Sequence, residues 1–230
     1  MKSPLIRPES SAQGMTAKPN PLVKPILALL TTDRSFGLPE NLLLLDLGCG
    51  KLRHLQLMRA FAKRIWIVDT ELQVTQSQWF GEFKGSMQEF VRTLKVRRNE
   101  VEALTTEELD SRDSIADVVI SVAVMDVVPV KTRGSVVRQA HKALREDGYF
   151  VVIVPRNDTS ILRRCTEENV FEDGHIFKRG KEAYTFFSNF RDHGALVEMI
   201  SRAGFVIVED RSNHKQVCLI FKKKRGDRRP

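Results

Sequence analysis

The period of the apolar positions changes repeatedly along the chain, and each change marks an element. In PLVKPILALLTT, Leu22, Ile26, Leu29 and Leu30 share one helical face, with Pro25 tolerable only in the first turn. Gly37 and Pro39 end that pattern. LLLLDLGCG follows, a continuous apolar run closing in small residues, as a buried strand entering a tight turn does. HLQLMRAFA then reads as a helix, IWIVD as a strand and SMQEFVRTL as a helix. KVRRNEVEAL gives a weak strand signal and ADVVISVAV a strong one. SVVRQAHKALRED has Val137, Ala140 and Leu144 at helical spacing and stops at Asp147-Gly148, ahead of the strand YFVVIVP. After a long polar stretch come the helix HGALVEMISRAGF, stopped by Gly204, and a closing strand pair, FVIVED and QVCLIF. This alternation predicts an α/β domain, a mostly parallel sheet with helices on both faces.

A chain of 230 residues suffices for one such domain with a sizeable core. Residues 1–20 lack any hydrophobic period and are expected to form a tail without fixed structure, leaving 21–221 as the domain. The formal charge of +8 sits at the ends: +3 on residues 1–24 and +5 on 222–230, with 27 basic and 27 acidic side chains between them. The basic tail 222–230 suits either a solubilising terminus or a nucleic-acid partner held through its phosphates. No apolar stretch nears the roughly 18 residues that cross a bilayer, and the N-terminus lacks the apolar core of a secretory signal. A soluble protein with no membrane partner is expected. Cys49, Cys165 and Cys218 are odd in number and show no CxxC spacing, which argues for a reducing, cytoplasmic setting and against a disulfide framework. With no clustered His and Cys, no metal is expected.

The chemistry concentrates in Asp46-Leu47-Gly48-Cys49-Gly50, between a buried strand and a helix. Glycines there let backbone approach a ligand at the carboxyl end of a strand, where open α/β sheets bind ligands. Arg53 stands at the sixth position of the dinucleotide pattern GxGxxG, and no GxxxxGK[ST] occurs, so neither phosphate-cradling loop is present. An acid two residues before the first glycine, with no basic residue before Lys51, suits a ligand bearing a cationic ammonium or sulfonium.

At these residues the sequence resembles the class I S-adenosylmethionine-dependent methyltransferases, over most of 21–221. LLLLDLGCGKLRHL matches their first motif as far as Gly50 and departs at the third glycine, where Leu52 stands. A positive φ at that position would strain a leucine by about 1 kcal/mol. IWIVDTE supplies the acid that closes the family's second strand, Asp69, whose two oxygens suit the ribose hydroxyls. For the acid that reads adenine after the third strand, Asn99, Glu100 and Glu102 qualify, and Glu100 is chosen for its spacing to Leu104. ADVVISVAVMDVVPVKTRGSVVRQAHKALREDGYFVVIVP looks like the family's fourth strand, helix and fifth strand. The resemblance implies a Rossmann-like doubly wound fold, a seven-stranded sheet with an antiparallel final strand. It implies S-adenosyl-L-methionine as cofactor, bound by Asp46, Gly48, Cys49, Gly50, Asp69, Thr70, Glu100 and Ser121, with Cys49 contributing backbone. Val124, Met125 and Asp126 would approach the methyl group, and Asp126 is the candidate base or substrate anchor.

The acceptor of the methyl group is either a small molecule or a nucleic acid, at an N or O nucleophile. MDVVP replaces the Asp/Asn-Pro-Pro-aromatic run of enzymes acting on base amines, and no cysteine follows a proline as cytosine C5 chemistry needs. Specificity is expected in an insertion at 156–192, where Arg163, Arg164, Lys178 and Arg179 interleave with Phe177, Tyr184, Phe186 and Phe187. It would form a lid over the acceptor. His175 and His193 within or beside it are candidates for acid/base work, and His54 is expected to lie away from the methyl group. The alternative is a noncatalytic cofactor-binding sensor or partner subunit, suggested by Leu52 and by the lack of a sharp catalytic signature.

Overall fold

Five consecutive buried positions, LLLDL at Leu43–Leu47, can be satisfied only by a strand covered on both faces, and the whole fold is arranged around that strand. A computed structural model of the protein describes residues 4–8, 15, 17–32, 41–94, 100–112, 115–156, 159–179, 183–190 and 192–225. In chain order the elements begin with β1 (Leu5–Ile6), α1 (Val23–Thr32), β2 (Leu43–Leu47), α2 (Leu55–Met58), β3 (Arg64–Asp69), α3 (Glu71–Thr75), β4 (Gln78–Phe80), β5 (Phe83–Gly85) and α4 (Met87–Thr93). Then follow β6 (Glu100–Thr105), α5 (Thr106–Asp110), β7 (Ala116–Val122), α6 (Val130–Ala143), β8 (Leu144–Pro155) and α7 (Thr159–Leu162). The chain closes with β9 (Val170–Phe171), β10 (Gly174–Arg179), β11 (Ala183–Phe187), α8 (Gly194–Arg202), β12 (Phe205–Asp210) and β13 (Gln216–Lys223). Among the described residues no helix is long and apolar enough to cross a membrane.

The main sheet runs β12-β13-β8-β7-β2-β3-β6. Its strands are parallel except β13, which is antiparallel to both β8 and β12. Because side chains alternate across a strand, Leu44 of β2 joins one core with Leu27 and Leu30 of α1, Met58 of α2 and Phe90 of α4. Leu43, Leu45 and Leu47 join the other, with Leu109 of α5, Val137 and Ala140 of α6 and Ile200 of α8. Helices therefore cover both faces, as the alternation of elements predicted.

Several boundaries differ from the sequence expectation. The helix read at 54–62 narrows to α2, four residues long, and continues in turns. The helix expected to stop at Asp147-Gly148 ends at Ala143 instead. Fully buried Leu144 is pulled into β8 opposite Ala116, and the positive φ of that turn falls on Asp147 (64°) rather than on the glycine. β6 starts only at Glu100, while residues 95–99 of that strand signal lie outside the described residues.

Both termini are also more involved than composition suggested. Leu5 and Ile6 pair in parallel with Ala183 and Tyr184 of β11. At the other end Lys222 and Lys223 belong to β13. Lys223 donates to the carbonyls of His141 (2.7 Å) and Leu144 (2.6 Å), at the C-terminus of α6 where a cation is favoured. Lys222 and Arg225 both pair with Asp147, at 3.1 and 2.6 Å, and hold its carboxyl below the usual carboxylate range.

The 156–192 segment supplies β9, β10 and β11 of a second sheet, ordered β1-β11-β10-β9. One arginine bolts it to the domain. Arg133 of α6 is 3% exposed. Its Nε donates to the Met125 carbonyl at 2.6 Å, and its guanidinium bridges Asp173 and lies 5.0 Å from the centre of the Phe190 ring. The backbone N–H of Ser188 adds a 2.7 Å bond to the carbonyl of Asp126. Removing one partner of a fully buried pair costs roughly 3–5 kcal/mol, but the Asp173 side chain keeps 40% exposure. Arg133→Ala should therefore lower stability by about 2–3 kcal/mol in denaturant titration and speed proteolysis within 156–192; an unchanged midpoint would show that the second sheet is held by other contacts.

Candidate functional site

The loop leaving β2 is shaped almost entirely by backbone hydrogen bonds. Gly48 (φ 80°) and Cys49 donate to the carbonyl of Val68, at 2.8 and 3.1 Å. A Cβ on Gly48 would overlap Val124, so only glycine lets this loop meet the one that follows β7. Gly50 (φ 55°) donates to Oδ2 of Asp69 at 2.8 Å, and Oδ1 of Asp69 accepts from the N–H of Thr70, also at 2.8 Å. A carboxylate has about four acceptor positions, so bracing the loop is compatible with accepting ribose hydroxyls.

Sequence reasoning missed a further brace. Gln73 of α3 is fully buried and donates to the Gly50 carbonyl (2.8 Å) and to Gln78 (3.1 Å), whose amide returns a bond to the Gln73 carbonyl. Its only sequence context is the polar run ELQVTQSQ, which gives no sign of burial.

Leu52 adopts a φ of 62° and is 1% exposed. The left-handed conformation costs about 1–2 kcal/mol, while full burial of a leucine is worth about 1.5–3 kcal/mol. Packing outweighs strain, and the loop keeps the turn that a third glycine would make. Ala123 (φ 56°), just after β7, is held likewise by its N–H bond to the Ile153 carbonyl at 2.8 Å.

Above this loop lies a cavity of about 430 Å³, within the range of small-molecule sites. Its floor includes Gly48, Cys49, Gly50, Asp69, Val124 and Asp126, and its cover comes from Ile161, Arg164, Phe177, Arg179, Phe186 and Phe187. Pro8 and Asn20 of the amino-terminal segment line it too. Residues on α7, β10 and β11 within 156–192 thus line the same cavity as the glycine loop.

Not every predicted residue reaches the cavity. Asp46 is buried directly ahead of the loop, and its Oδ2 has no hydrogen-bond partner among the described residues. Burial, then the field of Asp69, raise its pKa to about 7 against an opposing pull from Arg53. Thr70 does not line the cavity; its hydroxyl caps α3 by accepting from Gln73 N–H at 3.3 Å. Ser121 is fully buried inside β7, with its hydroxyl unpartnered among the described residues and outside the lining.

Glu100 is a correction. It opens β6 opposite Arg64, whereas Asp69 lies opposite Thr105 at the other end of the same pairing. Five residues of strand, roughly 16 Å, separate Glu100 from the site. Mistaking the first residue of the strand for the loop after it put the acid at the wrong edge of the sheet.

The histidines are reordered as well. His54, expected to lie away from the methyl group, is among the residues that line the cavity. Its Nε2 accepts from the backbone N–H of Asn20 (3.2 Å) and from Arg53 (3.4 Å), and burial and Arg53 lower its pKa to about 4. A neutral ring with its proton on Nδ1 satisfies those bonds. His193 pairs instead with Asp210 at 3.2 Å, and neither it nor His175 is in the lining.

These residues fit S-adenosylmethionine: a loop with glycines on either side of a buried Cys49 for close backbone approach, a carboxylate at the end of β3, and a buried acid with one unpartnered oxygen to balance a cation. Glycine loop, strand-end acid and a cavity over the carboxyl edge of a doubly wound sheet define a Rossmann-like methyltransferase of class I. A family profile described as a methyltransferase domain matches residues 20–210, and the chain belongs to that family. Its cofactor is S-adenosyl-L-methionine.

Solved structures share the fold. The 1,6-didemethyltoxoflavin-N1-methyltransferase of Burkholderia thailandensis is 16% identical, with a TM-score of 0.57 over 89% of this chain and 78% of that one. A protein from Pyrococcus horikoshii OT3 is 15% identical, with a TM-score of 0.60 over 88% of each chain. The magnesium protoporphyrin IX methyltransferase of Synechocystis PCC 6803 is 17% identical, with a TM-score of 0.56 over 88% of this chain and 82% of that one. A search of curated proteins finds no significant match.

Two measurements check this account. Folded Asp46 keeps its proton up to about pH 7, whereas in the unfolded chain it loses it near 3.8. Its contribution is therefore fully present below pH 4 and is lost as pH rises towards 7. Asp46→Asn should remove a falling slope of at most about 1.4 kcal/mol per pH unit from the stability profile in that window; parallel profiles for the two proteins would contradict the assignment. Leu52→Gly, although it relaxes φ, should cost about 1–3 kcal/mol of stability because the cavity it leaves outweighs the strain released. A rise in melting temperature would reverse that ranking.

Proposed function

We propose that the protein methylates a nitrogen or oxygen nucleophile of a small molecule held between the glycine loop and the second sheet. The observation that carries this reading is the shape of the cavity: cofactor residues line one wall, and the roof is a sheet belonging to the same chain. When bound, the cofactor would supply an electrophilic methyl group on a sulfonium, to be taken by the acceptor's lone pair with the neutral thioether as leaving group. In such a displacement the protein chiefly orients the partners and excludes water.

Gly48, Cys49 and Gly50 present backbone to the cofactor, Asp69 takes the ribose hydroxyls, and Asp46, protonated up to about pH 7 without a ligand, supplies negative charge once a bound cation draws off its proton. Asp126, 4% exposed and lining the cavity beside Val124, anchors the acceptor or takes its proton. Two of the similar structures support a small acceptor: the Burkholderia enzyme has 1,6-didemethyltoxoflavin bound, and the Synechocystis enzyme is named for magnesium protoporphyrin IX. Engagement of Lys222, Lys223 and Arg225 within the fold weakens the case for a nucleic-acid partner at the tail. The three free cysteines support a cytoplasmic setting.

Calorimetric titration of S-adenosylmethionine tests the division of labour. Asp69→Ala, losing charge-assisted bonds worth about 1.5–3 kcal/mol each, should weaken binding by about 10- to 100-fold, with Asp69→Asn intermediate. Asp126→Asn should bind within about twofold of wild type yet lose methyl transfer. Equal affinity for wild type and folded Asp69→Ala would remove the ribose role.

A further inference from the structure

The charges lining the cavity are mixed on the floor, where Lys51 and Arg53 stand beside the acids, and of one sign on the roof. Both lining acids, Asp69 and Asp126, belong to the floor, whereas the charged residues of the roof are Arg164 and Arg179. Neither arginine is ion-paired with an acid among the described residues, in contrast to Arg133, which holds Asp173. Phe177 and Arg179 are two apart on β10 and so project from the same face, opposite Thr185 and Ala183 of β11. The guanidinium of Arg164 lies over the Phe177 ring, 4.5 Å from its centre, a cation–π contact that takes none of its N–H donors. Two cations and an aromatic ring thus converge on one side of the space where the acceptor would lie.

We propose that the acceptor is an anionic aromatic small molecule whose oxyanion is bound by Arg164 and Arg179 and whose ring packs on the roof aromatics. This rests on the methyltransferase reading above and deepens it. Planar guanidinium groups match carboxylate and phosphate in two-point geometry. A cationic acceptor would be repelled by the roof, and a neutral one would gain no pairing from the two exposed arginines, whereas an oxyanion would. The oxyanion lies at the roof, so the nucleophile of the same molecule faces Asp126 on the floor.

The test uses the full chain saturated with S-adenosylhomocysteine, titrated with four matched probes: 2-naphthoate, 2-naphthyl phosphate, naphthalene-2-methanol and 2-naphthylmethylamine. One or both anions should bind about tenfold or more tightly than the neutral and cationic probes, and their order distinguishes a carboxylate from a phosphate. Arg164→Gln/Arg179→Gln should erase the preference while keeping S-adenosylhomocysteine affinity; the corresponding double lysine variant should retain part of it. Equal binding of all four probes, no binding of any, or a preference that survives the glutamine variant overturns the proposal. So does a single-stranded oligonucleotide that displaces 2-naphthoate in an arginine-dependent way, since that points to a nucleic-acid acceptor. Failure of wild type to bind S-adenosylhomocysteine would instead bring down the parent reading, and this one with it.

Discussion

Both oxygens of Asp69 are tied to backbone, one to Gly50 and one to Thr70, and this carboxylate joins the exits of the adjacent strands β2 and β3. Gly48 and Gly50 have no side chains with which to hold the loop, and their entropy favours many conformations. Here the Val68 carbonyl, the Asp69 carboxylate and the buried amide of Gln73 together leave it one. The close approach of Val124 to Gly48 then brings the loop after β7 against it, so the cofactor wall and the acceptor floor are set by the same few contacts.

The second sheet depends on a different interaction, the buried Arg133 guanidinium with its Asp173 partner and Phe190 stack. An ion pair so placed is a weak source of net stability and a strong source of geometry, because its partners must stay together once desolvated. It fixes the roof over the floor. The roof then contributes only cations to the cavity, while the floor carries both acids together with Lys51 and Arg53. Buried Asp46 and neutral His54 sit on the cofactor side of this divide, their pKa values moved to about 7 and about 4 by loss of water.

Much of the fold was legible in the chain because burial on two faces leaves a periodic trace. LLLDL, IWIVD and ADVVISV read as strands since each residue meets a core, and Gly204, with φ of 96°, ends α8 as its position suggested. Asp46, Gly48, Gly50 and Asp69 were legible for a related reason: a turn between a buried strand and a helix needs small residues, and strand-end acids stand out against apolar runs. Glu100 was misplaced because the strand signal of KVRRNEVEAL is too weak to show where the strand starts and where it ends. Leu144 was misread because a buried leucine serves a helix face and a strand equally well, and only its pairing with Ala116 decides.

The sequence by itself determined the order of elements, the two-faced core, the glycine loop and the acid that closes the second strand, since each follows from local period or local backbone freedom. Tertiary structure alone decided that Leu52 could keep a left-handed turn, that Gln73 would brace the loop and that His54 would enter the cavity. It also decided that Leu5 and Ile6 would join the roof. Each of these depends on a neighbour distant in sequence, and local pattern carries no record of which distant group will supply the contact that offsets strain or the loss of water.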